Sequence, residues 1–173
     1  PPRGPERGAT AFEALPGGGA AAASRRPGSS AAAVHLAFRG RACAADGRTP
    51  GLVELLMTVL ESSPAGKALV RDLEALGARV AFGDNPYVPQ DDYLLSPAFA
   101  FIRLEAPAAR IAEAARLLGS FLAADAVSDE ALAEAIPALM GELGMRSGSP
   151  FYMMRGSMMK ALFGDHPFAS PVF

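Results

Sequence analysis

The most informative stretch of this chain is Gly51-Leu52-Val53-Glu54-Leu55-Leu56-Met57-Thr58-Val59-Leu60-Glu61. Apolar side chains recur in it at the spacing of a single helical face. They are Leu52, Leu55, Leu56, Val59 and Leu60. Thr49-Pro50, just before it, is a helix-start signal, because threonine caps helices well and proline fits their first position. The stretch therefore predicts a helix that packs one side on a core.

Composition places this helix in one globular domain. The chain has 173 residues, half of them hydrophobic, and a formal net charge of −2. That charge gives no reason to expect a nucleic-acid or anionic-membrane partner, and no apolar run of about 18 residues predicts a membrane span. A single cysteine, Cys43, excludes an internal disulfide. Residues 1–10, rich in proline, glycine and charge, are predicted to be a flexible leader, which leaves residues 11–173 as the domain.

Four segments predict β-strands. Residues 12–24 predict a hairpin that turns at Gly17-Gly18-Gly19, since glycine supplies positive φ for tight turns. Residues 33–39 alternate, with Val34, Leu36 and Phe38 on the predicted buried face. Residues 78–82 and 93–105 predict two more strands.

Four further helices are predicted from their start and stop signals. Ser63-Pro64 begins the second helix and Gly77 ends it, Pro107 opens the third, and Ser128 caps the fourth. The buried face predicted for the fourth helix is made of Leu132, Ile136, Leu139 and Leu143. Pro137 lies inside this helix and predicts a kink or two shorter helices, because proline removes a backbone hydrogen bond.

The last predicted helix begins at Ser149-Pro150 and ends at Gly164, and it is rich in methionine. One stripe along it contains Phe151, Met154, Met158 and Leu162. We expect this stripe to pack in the core. The alternative is a contact surface for a partner, since methionine adapts to irregular apolar shapes. Together these elements predict an α+β fold with an antiparallel sheet and helices packed mainly on one face.

Beside this pattern, four segments resemble the insulinase/pitrilysin family of zinc peptidases in their order and spacing. They are residues 12–19, 33–40, 73–80 and 162–168, the last containing Phe163-Gly164-Asp165-His166-Pro167-Phe168. The active-site helix of this family carries the inverted zinc motif His-x-x-Glu-His. The resemblance puts Glu54 at the first histidine, Met57 at the catalytic glutamate and Thr58 at the second histidine, so no motif residue matches. Glu142 in Ala138-Leu139-Met140-Gly141-Glu142 corresponds to the remaining ligand.

The resemblance implies a non-catalytic domain of a metallopeptidase-like fold that holds no zinc itself. Its partner would be a zinc-bearing insulinase-like domain or subunit, with which it forms a two-domain clamshell or heterodimer. This chain would supply chamber wall and a peptide-binding surface, in which Asp92 and Tyr93 resemble a substrate-holding position. The family's domain continues beyond the His-Pro segment, so the resemblance also implies a domain truncated at its C-terminus.

Two alternatives stay open at the level of sequence. One is a scaffold or interaction protein of the same fold with no role in proteolysis. The other is a peptidase with an unusual site, in which Glu54 and Glu142 hold a hard cation. Carboxylates suit calcium or magnesium better than zinc, and neither metal normally drives peptide hydrolysis, so this second alternative is the weaker one.

Overall fold

The computed structural model describes residues 10–16, 18–39, 52–83, 99–124, 127–166 and 169. These residues form the strands β1 (Thr10–Ala14), β2 (Ala20–Ser24), β3 (Ala31–Arg39), β4 (Arg79–Phe82) and β5 (Phe99–Pro107). They also form the helices α1 (Leu52–Ser62), α2 (Pro64–Ala75), α3 (Ile111–Ala123), α4 (Asp129–Ser147) and α5 (Pro150–Phe163). The predicted combination of antiparallel strands and helices is confirmed. The leader before Thr10 and the Thr49-Pro50 start signal lie outside the described residues.

The strands form two sheets rather than one. β5 lies between β3 and β4 in an antiparallel three-stranded sheet of order β3-β5-β4. β1 and β2 form a separate two-stranded hairpin, in which Gly18 has the positive φ (+88°) that its turn requires. All ten residues of these two strands are exposed, so the hairpin adds nothing to the core.

Helices α1, α2 and α3 cover one face of the three-stranded sheet. The central strand β5 contributes four buried side chains to this face. They are Ala100, Ile102, Leu104 and Ala106. Side chains from α1, α2 and α3, among them Leu73, Ala114 and Leu118, complete one hydrophobic cluster with them. On the opposite face, Ala33, His35 and Ala37 of β3 are exposed.

Helix α1 buries side chains on two sides, so the single apolar face predicted for it is wrong. Met57 and Leu60 join the cluster beneath the sheet, whereas Val59 packs with two alanines of α4 in a second cluster. Leu52 and Leu56 are 51% and 39% exposed. The physical reason is that α1 lies between the main core and α4, which divides its buried residues between two neighbours.

The ends of α2 agree with the predicted signals. The Ser63 hydroxyl accepts a hydrogen bond from the Gly66 N–H at 3.0 Å, and Pro64 occupies the first position of the helix. Gly77 has a φ of +71° just beyond the last turn.

Pro107, by contrast, does not open α3. It is the last residue of β5, where it pairs with Ala31. Its carbonyl accepts a hydrogen bond from the Arg110 N–H at 2.8 Å, which closes a turn and delays the helix to Ile111.

Helix α4 differs from its predicted form in two ways. It runs through Pro137 as a single helix, so the expectation of two shorter helices is wrong. Its buried residues are Ala131 and Ala135, whereas Ile136 is 47% exposed and does not belong to a buried face. Small side chains are buried because they let α1 approach closely, and the cluster that they form with Val59 lies in the first half of α4.

The packing predicted for α5 is also wrong. None of its residues is buried, and Met154, Met158 and Leu162 are 61%, 52% and 67% exposed. Among the helices and strands described, α4 is the main contact of α5.

Candidate functional site

The three positions that the resemblance aligns with the zinc motif share one face of α1. Residues spaced i, i+3 and i+4 are neighbours on a helix, so Glu54, Met57 and Thr58 lie side by side. Met57 is only 6% exposed and belongs to the main core. A Cβ atom built on Gly83, just after β4, would lie 3.5 Å from the Met57 Cβ. The middle position of this face is therefore used for packing.

The outer two positions carry one hydroxyl and one carboxylate. The Thr58 hydroxyl donates a hydrogen bond to the Glu54 carbonyl oxygen at 2.9 Å, a bond typical of threonine within helices. Both side chains are half-buried, and the Glu54 Oε2 atom is buried. Zinc prefers histidine nitrogen, thiolate or carboxylate ligands in tetrahedral geometry. A thioether in the core and a hydroxyl bonded to the backbone do not fit it, so this helix face does not suit a zinc ion.

Glu142 lies in the second half of α4. It is seven residues beyond Ala135, which corresponds to about 10 Å along the helix axis. Its side chain lies outside the described part of the structure. No group of three or more His, Cys, Asp or Glu residues in the described part of the chain could hold a metal ion. Asp92 and Tyr93 lie outside the described residues.

The face of the sheet opposite the helices is the second candidate. The register places His35 of β3 beside Arg103 of β5, and Ala81 of β4 lies on the other side of Arg103. Residues directly opposite in an antiparallel pair point to the same face. Arg103 is partly covered and forms an ion pair with Glu105, with 3.7 Å between Nε and Oε1.

Two large and two small side chains flank this ion pair, because Arg79 of β4 lies opposite Glu105 and His35 of β3 lies opposite Arg103. Ala33 lies opposite Glu105, and Ala37 lies opposite Phe101, which is buried on this side. The arrangement places guanidinium donors and carboxylate oxygens on the side of the sheet opposite the helices. We call residues 33, 35, 37, 81, 103 and 105 the open sheet face.

Sequence reasoning did not single out Arg103 or Glu105. The available signal was the alternation in Phe101-Ile102-Arg103-Leu104-Glu105, which sets both charged residues on one face of β5. Only the strand order shows that this face is central in the sheet and is flanked by alanines.

The carboxylate of Glu130 has a shifted pKa, and it belongs to a helix start. The pKa of Glu130 lies below its usual 4.5, because its own backbone N–H and the Ser128 hydroxyl form hydrogen bonds with the charged form. The Ser128 oxygen also accepts the Ala131 N–H at 3.2 Å. These contacts stabilise the first turn of α4 and do not form a reactive group.

Comparison with known proteins adds no assignment. No protein-family model matches this chain, and no curated protein matches it significantly. Across the described helices, none combines the length and the apolar content needed to cross a membrane.

Proposed function

We propose that this chain is the non-catalytic half or subunit of an insulinase-like zinc metallopeptidase. It forms chamber wall and a peptide-binding surface for a partner domain that carries the intact His-x-x-Glu-His motif. Zinc belongs to that partner, where it activates a water molecule for attack on a peptide carbonyl. This chain contributes no ligand and no proton acceptor to that step.

The observation that carries the proposal is the environment of the three side chains on the α1 face that the resemblance aligns with the zinc motif. The spacing of the zinc motif brings Glu54, Met57 and Thr58 together, but Met57 packs in the core and Thr58 is bonded to the backbone. This pattern is expected of a domain that keeps the fold of the family. In such a domain, the helix aligned with the metal-binding helix contributes only to packing.

The open sheet face supports the peptide-binding part of the proposal. Its alanines leave room for a substrate backbone, and Arg103 and Glu105 supply one donor and one acceptor group of opposite charge. Helices cover the other side of the sheet, whereas Ala33, His35 and Ala37 are exposed on this one.

The test is complementation with a zinc-bearing subunit encoded beside this chain or within the same polypeptide. Cleavage of a fluorogenic peptide is measured for each component alone and for the mixture. We expect the mixture alone to be active. Cleavage by this chain alone that a chelator abolishes would contradict the proposal.

Two matched variants locate the peptide-binding surface. Ala37→Arg puts a long charged side chain on the open sheet face, and Ala112→Arg puts the same side chain on an exposed position of α3. We expect Ala37→Arg to raise the KM of the mixture several-fold and Ala112→Arg to leave it unchanged. Equal KM values for both variants would show that this face does not bind the substrate.

The scaffold alternative differs in one outcome of the same experiment. A scaffold of this fold forms a stable complex with its partner, but the mixture gains no peptidase activity. The extensive exposed apolar surface of α4 and α5 is compatible with that alternative. Exposed apolar surface is typical of sites that bind another protein, and it does not imply catalysis.

A further inference from the structure

Strand β3 lies at the edge of the three-stranded sheet. β5 pairs with one side of it along its whole length, and none of the other described strands pairs with its second side. The Ala108 N–H donates a hydrogen bond to the Ser30 carbonyl oxygen at 2.8 Å, so the even-numbered residues of β3 point their backbone groups towards β5. The odd-numbered residues, among them Ala31, Ala33 and Ala37, therefore point their N–H and C=O groups away from β5. We call this second side the outer edge of β3.

The β1–β2 hairpin has an edge of the same kind. The Leu15 N–H donates a hydrogen bond to the Gly19 carbonyl oxygen at 2.8 Å, so the odd-numbered residues of β2 point their backbone groups towards β1. Ala22 and Ser24 therefore point theirs away from β1. A two-stranded hairpin on its own is only marginally stable in water, and every residue of these two strands is exposed.

The connection between β2 and β3 directs these two edges towards each other. A turn over residues 26–29 reverses the chain, and the N–H of its last residue donates a hydrogen bond to the carbonyl oxygen of its first residue at 3.2 Å. Strand pairing continued from this bond sets Ser24 opposite Ala31. Two residues further along, it sets Ala22 opposite Ala33. In this register, the backbone groups that point outwards on β2 meet those that point outwards on β3.

Two features of the same connection hold the strands apart. Proline fixes φ at about −65°, and Gly28 has a φ of +79°, so Pro27 and Gly28 form the centre of a type II turn. Type II turns splay the strands of a two-residue hairpin, because the favoured turn types need a positive φ at the position of Pro27. The Ser29 hydroxyl also occupies the first outward groups of β3. It donates a hydrogen bond to the Ala31 carbonyl oxygen at 2.6 Å and accepts one from the Ala31 N–H at 3.4 Å.

We propose that the β1–β2 hairpin is a strap that closes onto the outer edge of β3, and that Pro27 and Ser29 hold it open in this structure. In the closed form, β2 pairs with β3 in the register set by the turn, which gives one sheet of order β1-β2-β3-β5-β4. Closure covers an edge strand that is otherwise a template for pairing with other chains. The proposal concerns only the hairpin and β3, so it can fail or succeed independently of the proposed function.

Disulfide trapping in the full chain tests the closed register. Pairs of cysteines are introduced in a Cys43→Ser background, which removes the single native thiol. Ala22→Cys with Ala33→Cys joins residues that are directly opposite in the closed form, where a Cα separation of about 5.5 Å suits a disulfide. Ala21→Cys with Ala33→Cys is the matched control, because Ala21 points to the other face of the sheet. With oxidised glutathione as the oxidant, mass spectrometry should show the first pair closing at least about tenfold faster than the control pair.

Three variants test what holds the hairpin open. Pro27→Asn places asparagine before Gly28, a pair that is preferred in the type I′ turns of two-residue hairpins. Ser29→Ala removes the hydroxyl that occupies the N–H and C=O groups of Ala31. Ser30→Ala removes the same chemical group one residue later and is the matched control. We expect the first two variants to favour the closed form and the control to leave the equilibrium unchanged.

Amide hydrogen exchange measured by NMR detects closure without any cysteine. The Ala33 N–H points to the outer edge of β3, so closure protects it from exchange. The Ala37 N–H lies beyond the end of β2 in the closed register and is the internal reference. Relative to this reference, exchange of the Ala33 N–H should slow at least about threefold in Pro27→Asn and in Ser29→Ala, but not in Ser30→Ala.

The other results of these experiments contradict the proposal. Equal rates for the two cysteine pairs would show that the hairpin moves without a fixed register. A disulfide in neither pair would show that the hairpin does not reach the outer edge of β3. A covalent dimer on a non-reducing gel would assign this edge to a second copy of the chain. Unchanged exchange of the Ala33 N–H in both variants would show that Pro27 and Ser29 do not hold the hairpin open.

Discussion

Replacing Gly66 by alanine should destabilise this chain, although alanine is normally the better helix residue. Gly66 is buried in the first turn of α2, directly after the end of α1. A Cβ atom built on it would lie 3.0 Å from the Leu60 carbonyl carbon and 3.1 Å from the Glu61 carbonyl oxygen, and nearer still to the Leu60 carbonyl oxygen. These are backbone atoms, so no side-chain rotation relieves the clash, and the two helices must move apart.

The magnitude follows from three contributions. Alanine gains up to about 1 kcal/mol over glycine in a helix. Overpacking a buried site costs about 1–3 kcal/mol and more when backbone must shift. The shift also strains the hydrogen bond from Gly66 N–H to the Ser63 hydroxyl, a cap that is worth about 1 kcal/mol. We therefore expect a net loss of at least about 1–3 kcal/mol and a fall in Tm of roughly 2–12 °C.

Urea unfolding of the full chain, followed by circular dichroism, measures this effect. Gly119→Ala in α3 is the matched control, because nothing lies within 4 Å of a Cβ at that position. Gly119→Ala should stabilise the chain by about 0.5–1 kcal/mol with an unchanged m value. A Gly66→Ala midpoint equal to or above that of the parent chain would refute the argument from close helix approach.

The remaining predictions concern capping, helix α1 and pH. Ser63→Ala should lower the free energy of unfolding by about 1 kcal/mol in urea titrations, because it leaves the buried Gly66 N–H without its acceptor. Met57→Glu should cost more than about 3 kcal/mol, since it places a carboxylate in the core, whereas Thr58→His should cost at most about 1 kcal/mol in the same assay. The lowered pKa of Glu130 means that its contribution to stability is present above pH 4.5 and is lost as the pH falls through that lowered pKa. Ser128→Ala should raise the pKa of Glu130 towards its usual value, and an NMR titration that shows no change would contradict this.

The boundaries of several elements could be predicted because their causes are local. Ser63 and Ser128 cap their helices through their own hydroxyl groups, and Gly77 ends α2 through its positive φ. Each of these effects depends on residues within one turn, which the sequence contains. Pro107 carries a similar local signal but ends a strand instead, because pairing with Ala31 extends β5 to this residue.

The buried faces of α1 and α4 were harder to predict, since they depend on distant neighbours. Periodicity identifies residues that share a helix side, but it does not tell which side meets a partner. Ala131 and Ala135 are buried although they are small, whereas Ile136 is exposed although it is large. Close approach of two helices selects small side chains, and hydrophobicity alone points to the larger ones.

The candidate site shows the same division between local and distant causes. The helical spacing correctly groups Glu54, Met57 and Thr58 on one face. It does not reveal that the side chain of Met57 is buried in the core. Arg103 and Glu105 gain their importance from the strand order, because β5 is central and its neighbours place His35 and Arg79 beside them. On an isolated strand, the same two charged side chains would simply be exposed to solvent.

Helix α5 and the main core differ in what stabilises them. The core cluster buries Leu73, Ile102 and Leu104 almost completely, and each such side chain contributes on the order of 1.5–3 kcal/mol. Helix α5 buries no side chain, so its stability rests on backbone hydrogen bonds and on limited contact with α4, which are marginal for a short helix in water. A partner at 100 times its Kd would add about 2.7 kcal/mol to the folded, binding-competent form. That increment matters little to the core but is decisive for α5, because a helix with little intrinsic stability gains most of its order from whatever covers its apolar stripe.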